Sequence, residues 1–499
     1  MPIVLSDVTF AYPHAAKPLI LNLSLTFGTG WTCLLGDNGC GKTTLVKLAA
    51  GLLEPQQGSI QRSGYVAWCP QEPQRAPEAL PDFACAYDPL ARSLRSRLAL
   101  QDDMPWRFAQ LSCGEQKKLQ VAVALWQQPD ALILDEPTNH IDHQARQQLL
   151  EVLRLFRGTG ILVSHDRQLL DLLGNRCACF EQGRVILRPG NYSAVKAQTE
   201  LERRSAAHER KSAARELNRL AAEKLQRSHQ AAAAASRRSK RGLDPKDHDG
   251  RARIGLAIVS GQDGAAGRLS SAMDARLKRA QERKAAAQVS KRYDGDLWVG
   301  TEVHPRPVLL RCEATSIACG EDELAVPDLY VGHCDHVGMV GPNGSGKSTL
   351  VRWLLTQVPQ DVRVLYVPQE VNEEGARGLL ERLAELSAAE RGQVLSVVAQ
   401  LNSEPERILE GESLSPGEAR KLMIALGVLE KPQLLVLDEP TNHLDLHSVE
   451  ALERALAAFP GALICVSHDY SFLDACCAVR WRVEDGVVKV EVRAVGDAL

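Results

Sequence analysis

A chain of 499 residues has room for about three domains of ordinary size, and 44% hydrophobic residues are enough to bury more than one core. The formal net charge of -3 averages 59 basic and 62 acidic residues that are placed very unevenly, so the sum excludes no class of partner and the distribution matters more. No apolar run approaches a membrane span and Met1 to Asp7 does not read as a leader, so a cytoplasmic protein is expected; the 13 scattered cysteines form no C-x-x-C pair, which argues against zinc or redox-dithiol work.

The first strong element is an apolar strand ending at Gly36-Asp37-Asn38-Gly39-Cys40-Gly41-Lys42-Thr43-Thr44, a G-x-x-x-x-G-K-[ST] loop that opens a helix. Its glycines let successive backbone N–H groups point at phosphates, Lys42 adds a point charge, and the Thr43 hydroxyl can ligate Mg²⁺. Pro70-Gln71-Glu72 and Leu111-Ser112-Cys113-Gly114-Glu115 follow. The next buried strand ends in Leu134-Asp135-Glu136-Pro137, two carboxylates at the end of a parallel strand, where such sheets bind ligand. Asp135 is expected to hold Mg²⁺, Glu136 to polarise an attacking water, and Gln71 to help position both. His165, in Val163-Ser164-His165-Asp166, lies 29 residues after Glu136 and is placed to donate to a γ-phosphate or orient the water.

From about residue 192 the composition turns to Ala, Arg, Lys and Glu. A helix is expected from Tyr192 to about Lys240, broken at Gly242-Leu243-Asp244-Pro245. A return path is expected near 250–260 and 268–291, interrupted by Gly261 to Gly267. The reading is an antiparallel hairpin whose bases, among them Arg203, Arg204, Arg210, Lys211, Arg279, Arg283 and Lys284, outnumber its acids and suit an RNA surface.

The whole motif set then recurs about three hundred residues on. Gly341-Pro342-Asn343-Gly344-Ser345-Gly346-Lys347-Ser348-Thr349 is the second phosphate loop, and Ser348 the second hydroxyl for Mg²⁺. Pro368-Gln369-Glu370, Leu414-Ser415-Pro416-Gly417-Glu418, Leu437-Asp438-Glu439-Pro440 and Val466-Ser467-His468-Asp469 follow in the same order. Asp438 and Gln369 take the metal-positioning parts, and Glu439 and His468 the hydrolytic parts. The expected fold class is α/β: two P-loop domains, 1–191 and 301–499, joined by a basic helical linker, 192–300.

The Leu-Ser-x-Gly-Glu elements resemble the signature of the ATP-binding-cassette superfamily. Within it, Glu-Pro-Thr-Asn-His-Ile-Asp at 136–142, Glu-Pro-Thr-Asn-His-Leu-Asp at 439–445 and Gly190-Asn191-Tyr192-Ser193 resemble the ABC-F family. The resemblance implies an ATPase whose sites are composite, Lys42 working with Ser415 and Gly417, and Lys347 with Ser112 and Gly114. It also implies ribosome binding, with the linker tip near 241–267 against tRNA or ribosomal RNA in the exit-tRNA region. Tyr12 is the expected adenine platform of the first site, and no aromatic residue stands at the corresponding place near Ile317. Cys113 and Pro416 depart from the usual glycine, and Pro416 has no N–H to offer phosphate. About seventy residues separate each lysine from the serine of its own domain, which leaves no room for a substantial inserted arm. The sequence leaves open whether translation is protected from antibiotics, rescued from stalling or throttled. Two rivals are the energy-coupling ATPase of a membrane transporter and a DNA-repair ATPase.

Overall fold

The computed structural model describes residues 2–13, 17–139, 141–181, 183–237, 262–286, 297–298, 300–320, 322–410 and 414–492. The chain divides into two compact units, Met1–Val195 with Arg292–Leu499, and Lys196–Lys291.

In the larger unit the sequence repeat becomes two mixed α/β domains with one shared sheet order. The first sheet runs Val66–Cys69, Ala131–Asp135, Thr159–Val163, Gly30–Leu35, Gly174–Glu181, Arg184–Pro189, parallel except for the last pair. The second runs Val364–Val367, Leu434–Asp438, Ala462–Val466, His336–Val340, Val479–Glu484, Val487–Val492, then continues into Asp322–Val326 and Thr315–Cys319. Every residue of Ala131–Asp135 and of Leu434–Asp438 is buried, because helices cover both faces and each side chain meets one of two cores. Leu132 and Leu134 join the core containing Phe83 and Leu119, while Ile133 joins Phe27, Leu45 and Leu48 on the other face.

This order positions the chemistry. Thr159–Val163 lies between the strand that leads into the first phosphate loop and the strand that ends in Asp135. Three adjacent parallel strands therefore deliver a phosphate loop, a histidine and two acids to one sheet end, and Ala462–Val466 does the same in the second domain.

The smaller unit is helical. The helix Tyr192–Arg237 has 46 residues and would extend roughly 70 Å at 1.5 Å per residue. Gln262–Ala286 returns beside it. Leu220, Met273 and Ala280 are buried together, Lys224 Nζ lies 2.5 Å from Asp274 Oδ1, and Arg283 pairs with Glu216 at 3.6 Å. Higher numbers on one helix meet lower numbers on the other, so the pair is antiparallel. One expectation is corrected: the chain is helical from Gln262 through Gly264 and Gly267, since a helix interior tolerates isolated glycines at about 1 kcal/mol each. The expected break at Gly242 to Pro245 and the segment 250–260 lie outside the described residues.

Candidate functional site

Each phosphate loop ends in a left-handed glycine that caps a helix, Gly41 (φ 107°) before Lys42–Ala50 and Gly346 (φ 96°) before Lys347–Gln357. Gly39 and Gly344 are also left-handed, so the loop backbone turns in a way that L side chains resist. Cys40 and Ser345 tuck beneath the first glycine of their loops, where a Cβ on Gly36 or Gly341 would come within 2.8 Å of Sγ or 2.9 Å of Oγ. Both lysines curl back on their own loops. Lys42 Nζ donates to the carbonyls of Gly36 (2.6 Å) and Asp37 (3.0 Å), and Lys347 Nζ to those of Gly341 (2.9 Å) and Pro342 (2.7 Å). The ammonium groups are thus held in the concavity where phosphate oxygens would replace the carbonyls.

At the acid ends the two domains agree closely. Glu136 and Glu439 both adopt left-handed backbone, φ 48° and 47°, costing on the order of 1–2 kcal/mol each in a non-glycine residue. Their N–H groups are bound to Val163 (2.8 Å) and Val466 (2.9 Å), which holds the strain in place. Burial pushes both carboxyls up to about 7. Asp135 is pushed up to about 6 by burial and then by Glu136, and burial also raises Asp438. His165 Nε2 sits 3.1 Å from Glu136 Oε1, and His468 Nε2 3.4 Å from Glu439 Oε1; each backbone N–H also donates to its glutamate. Burial, then the nearby lysine, depresses the two imidazoles to about 4 and about 3, so both are neutral near pH 7. Ser348 donates to Asp438 at 2.9 Å, and Thr43 neighbours Asp135. A hydroxyl beside a buried carboxylate is the hard-oxygen donor set that Mg²⁺ takes, so these residues fit that ion.

The signature elements are helix starts. Ser112 and Ser415 cap Cys113–Trp126 and Pro416–Leu429, each in a reciprocal capping box with Glu115 or Glu418. Pro416 occupies the first helical position, where the missing N–H has no helical partner to lose and the fixed φ suits the helix. Sequence reasoning took these elements only as a signature and missed the caps, although the S-x-x-E spacing is the signal that could have found them. Sequence reasoning missed Lys117 and Arg420, equivalent buried cations one turn further on. Lys117 donates to the carbonyls of Pro70 (2.5 Å) and Gln71 (3.2 Å); Arg420 donates to Gln369 and, at 2.6 Å, to Asn442. They tie the signature helix to the segment carrying each glutamine.

The two domains meet across these elements. A cavity of ≈ 930 Å³ is lined by Asn343, Gly344, Gly346, Lys347, Ser348, Thr349, Asp438, Glu439, Gln369 and His468 of one domain and by Ser112, Cys113, Gly114, Gln71 and His165 of the other. The Lys347 loop therefore faces the first signature. The Lys42 loop meets the second cassette through two residues: Asp37 Oδ1 accepts from Asn402 Nδ2 (3.0 Å) and meets His447 Nδ1 at 2.8 Å, and Asn38 Nδ2 donates to the carbonyl of His443 at 3.0 Å. Among the described residues, no hydrogen bond or ion pair joins this loop to Ser415 or Gly417. His447 and Asn402 gave no signal in the sequence, because their role exists only across the interface. Tyr12 is exposed, its ring edge-on to Phe10 and its Oη 3.1 Å from Thr44 Oγ1, beside the first loop.

The ABC transporter family model matches residues 20–139 and 325–442, once in each domain. The ribosome protection protein VmlR of Bacillus subtilis is 31% identical over 453 residues, covering 88% of this chain and 79% of that protein. The chain belongs to the ABC-F family. The tylosin resistance ATP-binding protein TlrC of Streptomyces fradiae is also 31% identical, over 91% of this chain and 92% of its own. An archaeal ribosome recycling factor, aABCE1, solved with the stalk protein aP1, superposes with a TM-score of 0.63 at 19% identity, over 95% of this chain and 87% of its own, which supports the fold. This ABC-F chain is an ATP hydrolase with two nucleotide-binding cassettes. Among the described residues no helix is long and apolar enough to cross a membrane.

Proposed function

We propose that this ATPase binds the ribosome in its ATP-bound form and modulates translation, with the cassettes 1–191 and 301–499 as the engine and 192–300 as the element that reaches RNA. The observation that carries the reading is the cavity in which the Lys347 loop faces Ser112 and Gly114 of the other cassette. A triphosphate held there touches both cassettes, so binding favours their closed pairing and hydrolysis releases it.

In the proposed mechanism the loop N–H groups and Lys347 cradle the phosphates in place of the carbonyls of Gly341 and Pro342. Ser112 and Gly114 cap the γ-phosphate, and Glu439 orients the attacking water, its carboxylate held by His468. The Lys42 site uses Glu136 and His165 likewise, with Ser415 and Gly417 opposite. Thr43 with Asp135 and Ser348 with Asp438, helped by Gln71 and Gln369, would hold Mg²⁺, which would neutralise charge on the phosphates. Support for the partner comes from the names of VmlR, a ribosome protection protein, and TlrC, a tylosin resistance protein. The antiparallel hairpin, with Arg279, Arg283 and Lys284 on its described return helix, supplies cations suited to an RNA backbone. A cytoplasmic location and a single-chain pairing of cassettes belong to the same reading.

The test is co-sedimentation of the Glu136→Gln, Glu439→Gln double variant with 70S ribosomes. Pelleting that requires ATP supports the proposal. No pelleting despite intact ATP binding sinks it and returns a transporter or DNA-repair partner to consideration.

A further inference from the structure

One helix of the second cassette, Leu446–Ala457, touches the first phosphate loop near its start and both ends of the segment 192–300 further along. His447 Nδ1 meets Asp37 Oδ1 of the loop at 2.8 Å. One turn on, Glu450 Oε1 accepts from the hydroxyl of Tyr192, the first residue of the helix Tyr192–Arg237, at 2.7 Å, and both side chains are buried. In the last turn the carbonyl of Ala455 accepts from the indole N–H of the buried Trp298 at 2.6 Å, and the Trp298 ring lies edge-on to Phe459 just beyond the helix, with centroids 4.6 Å apart. Leu446 joins the same apolar core as Tyr192 and Val195. The counterpart in the first cassette is His143–Leu153, capped by Asp142 as Leu446–Ala457 is capped by Asp445. It serves the other site: Ile141 and Arg146 line the cavity of the Lys347 loop. At the place of Glu450 it has Gln147, bonded to His143 of its own first turn at 2.9 Å. Val449 of Leu446–Ala457 lines that cavity too, with an apolar side chain that offers a triphosphate no hydrogen bond.

We infer that Tyr192 and Trp298 are positioning residues for the Lys42 site: they hold Leu446–Ala457 where His447 meets Asp37. The physical reason is that a helix shifts as a rod. His447, Glu450 and Ala455 lie within about 12 Å along one axis at 1.5 Å per residue, so a displacement at either linker end reaches His447. ATP at the Lys42 loop and the two attachments favour the same closed position of this helix. Linkage makes the coupling reciprocal: what the attachments do to the loop's affinity for ATP, ATP at the loop does to the attachments. An RNA that fixes the linker would then be read at the Lys42 site, a consequence that rests on the function proposed above.

The experiment uses the whole chain without ribosomes, so its outcome is independent of the co-sedimentation test. In the Glu136→Gln, Glu439→Gln background, Lys347→Ala leaves the Lys42 site and Lys42→Ala leaves the Lys347 site. ATP then displaces a fluorescent ATP analogue at equilibrium. Tyr192→Phe, which removes one oxygen atom, should weaken ATP at the Lys42 site by about fivefold or more and at the Lys347 site by about twofold or less. Trp298→Phe should act in the same direction at the same site. His447→Gln should weaken the Lys42 site too, and adding Tyr192→Phe to it should cost less than the product of the two changes, because both act through one helix. Equal losses at the two sites would show a general loosening of the cassette contact and overturn the inference. A Lys42 site untouched by Tyr192→Phe and Trp298→Phe would overturn it as well, as would a full product in the combined variant.

Discussion

The first and second phosphate loops share sequence, helix start and lysine geometry, yet their neighbours differ. The Lys347 loop opens on a cavity shared with the first signature helix, whereas the Lys42 loop is clasped by Asn402, His443 and His447 of the second cassette. A repeat in sequence therefore places Glu136 and Glu439 alike, while Asn402 and His447 hold the first loop through Asp37, at a position where the second loop has Pro342. What distinguishes the sites lies in residues outside the repeated motifs.

Hydrolysis is the strongest test of this contrast. The double variant Glu136→Gln, Glu439→Gln should lose about 100-fold or more in steady-state ATPase, the usual size of a lost general base. Glu136→Gln, which leaves the Lys347 site working, should retain several-fold more rate than Glu439→Gln. Exchange at the Lys42 loop must first break the bonds that Asn402 and His447 make to Asp37. Equal rates in the two single variants would erase the distinction.

The contact between cassettes should respond next. Arg167 Nη1 lies 2.6 Å from Glu453 Oε1 with both side chains largely buried, and Tyr192 donates to Glu450 at 2.7 Å. Arg167→Ala removes a charge-assisted hydrogen bond across the interface and should weaken the pairing by about 1.5–3 kcal/mol, and the loss on removing both Arg167 and Glu453 should be less than the sum of the two single changes. Fluorescence energy transfer between labels on the two cassettes reads the effect, and additive losses would contradict a coupled pair.

The smallest effect concerns pH. The Asp37 hydrogen bond raises His447 from its ordinary 6.5, with Glu450 and Asp445 adding to it. Burial pushes Asp37 up, but His447, Asn402 and Lys42 outweigh it and hold the carboxyl below 3.8. The clasp is then complete below pH 6.5, weakens as pH rises through the elevated histidine value, and is also lost in acid as Asp37 takes up a proton. Both side chains are more than half exposed, so roughly 0.5–1 kcal/mol is at stake. His447→Gln should flatten the pH dependence of nucleotide exchange at the Lys42 site between pH 6 and 8; an unchanged slope would assign it elsewhere.

Much of the site was legible from residue order alone. The loop glycines and the acid pairs act through neighbours a few positions away, so spacing reports them. The duplicated α/β architecture and the ABC-F membership followed from the order of those short motifs. Tertiary structure decided the left-handed backbone at Glu136 and Glu439, which depends on Val163 and Val466 of the adjacent strands. It also decided the meeting of Asp37 with His447, 410 residues apart. Such contacts are set by how folded surfaces pair, and that information is carried by no local run of residues.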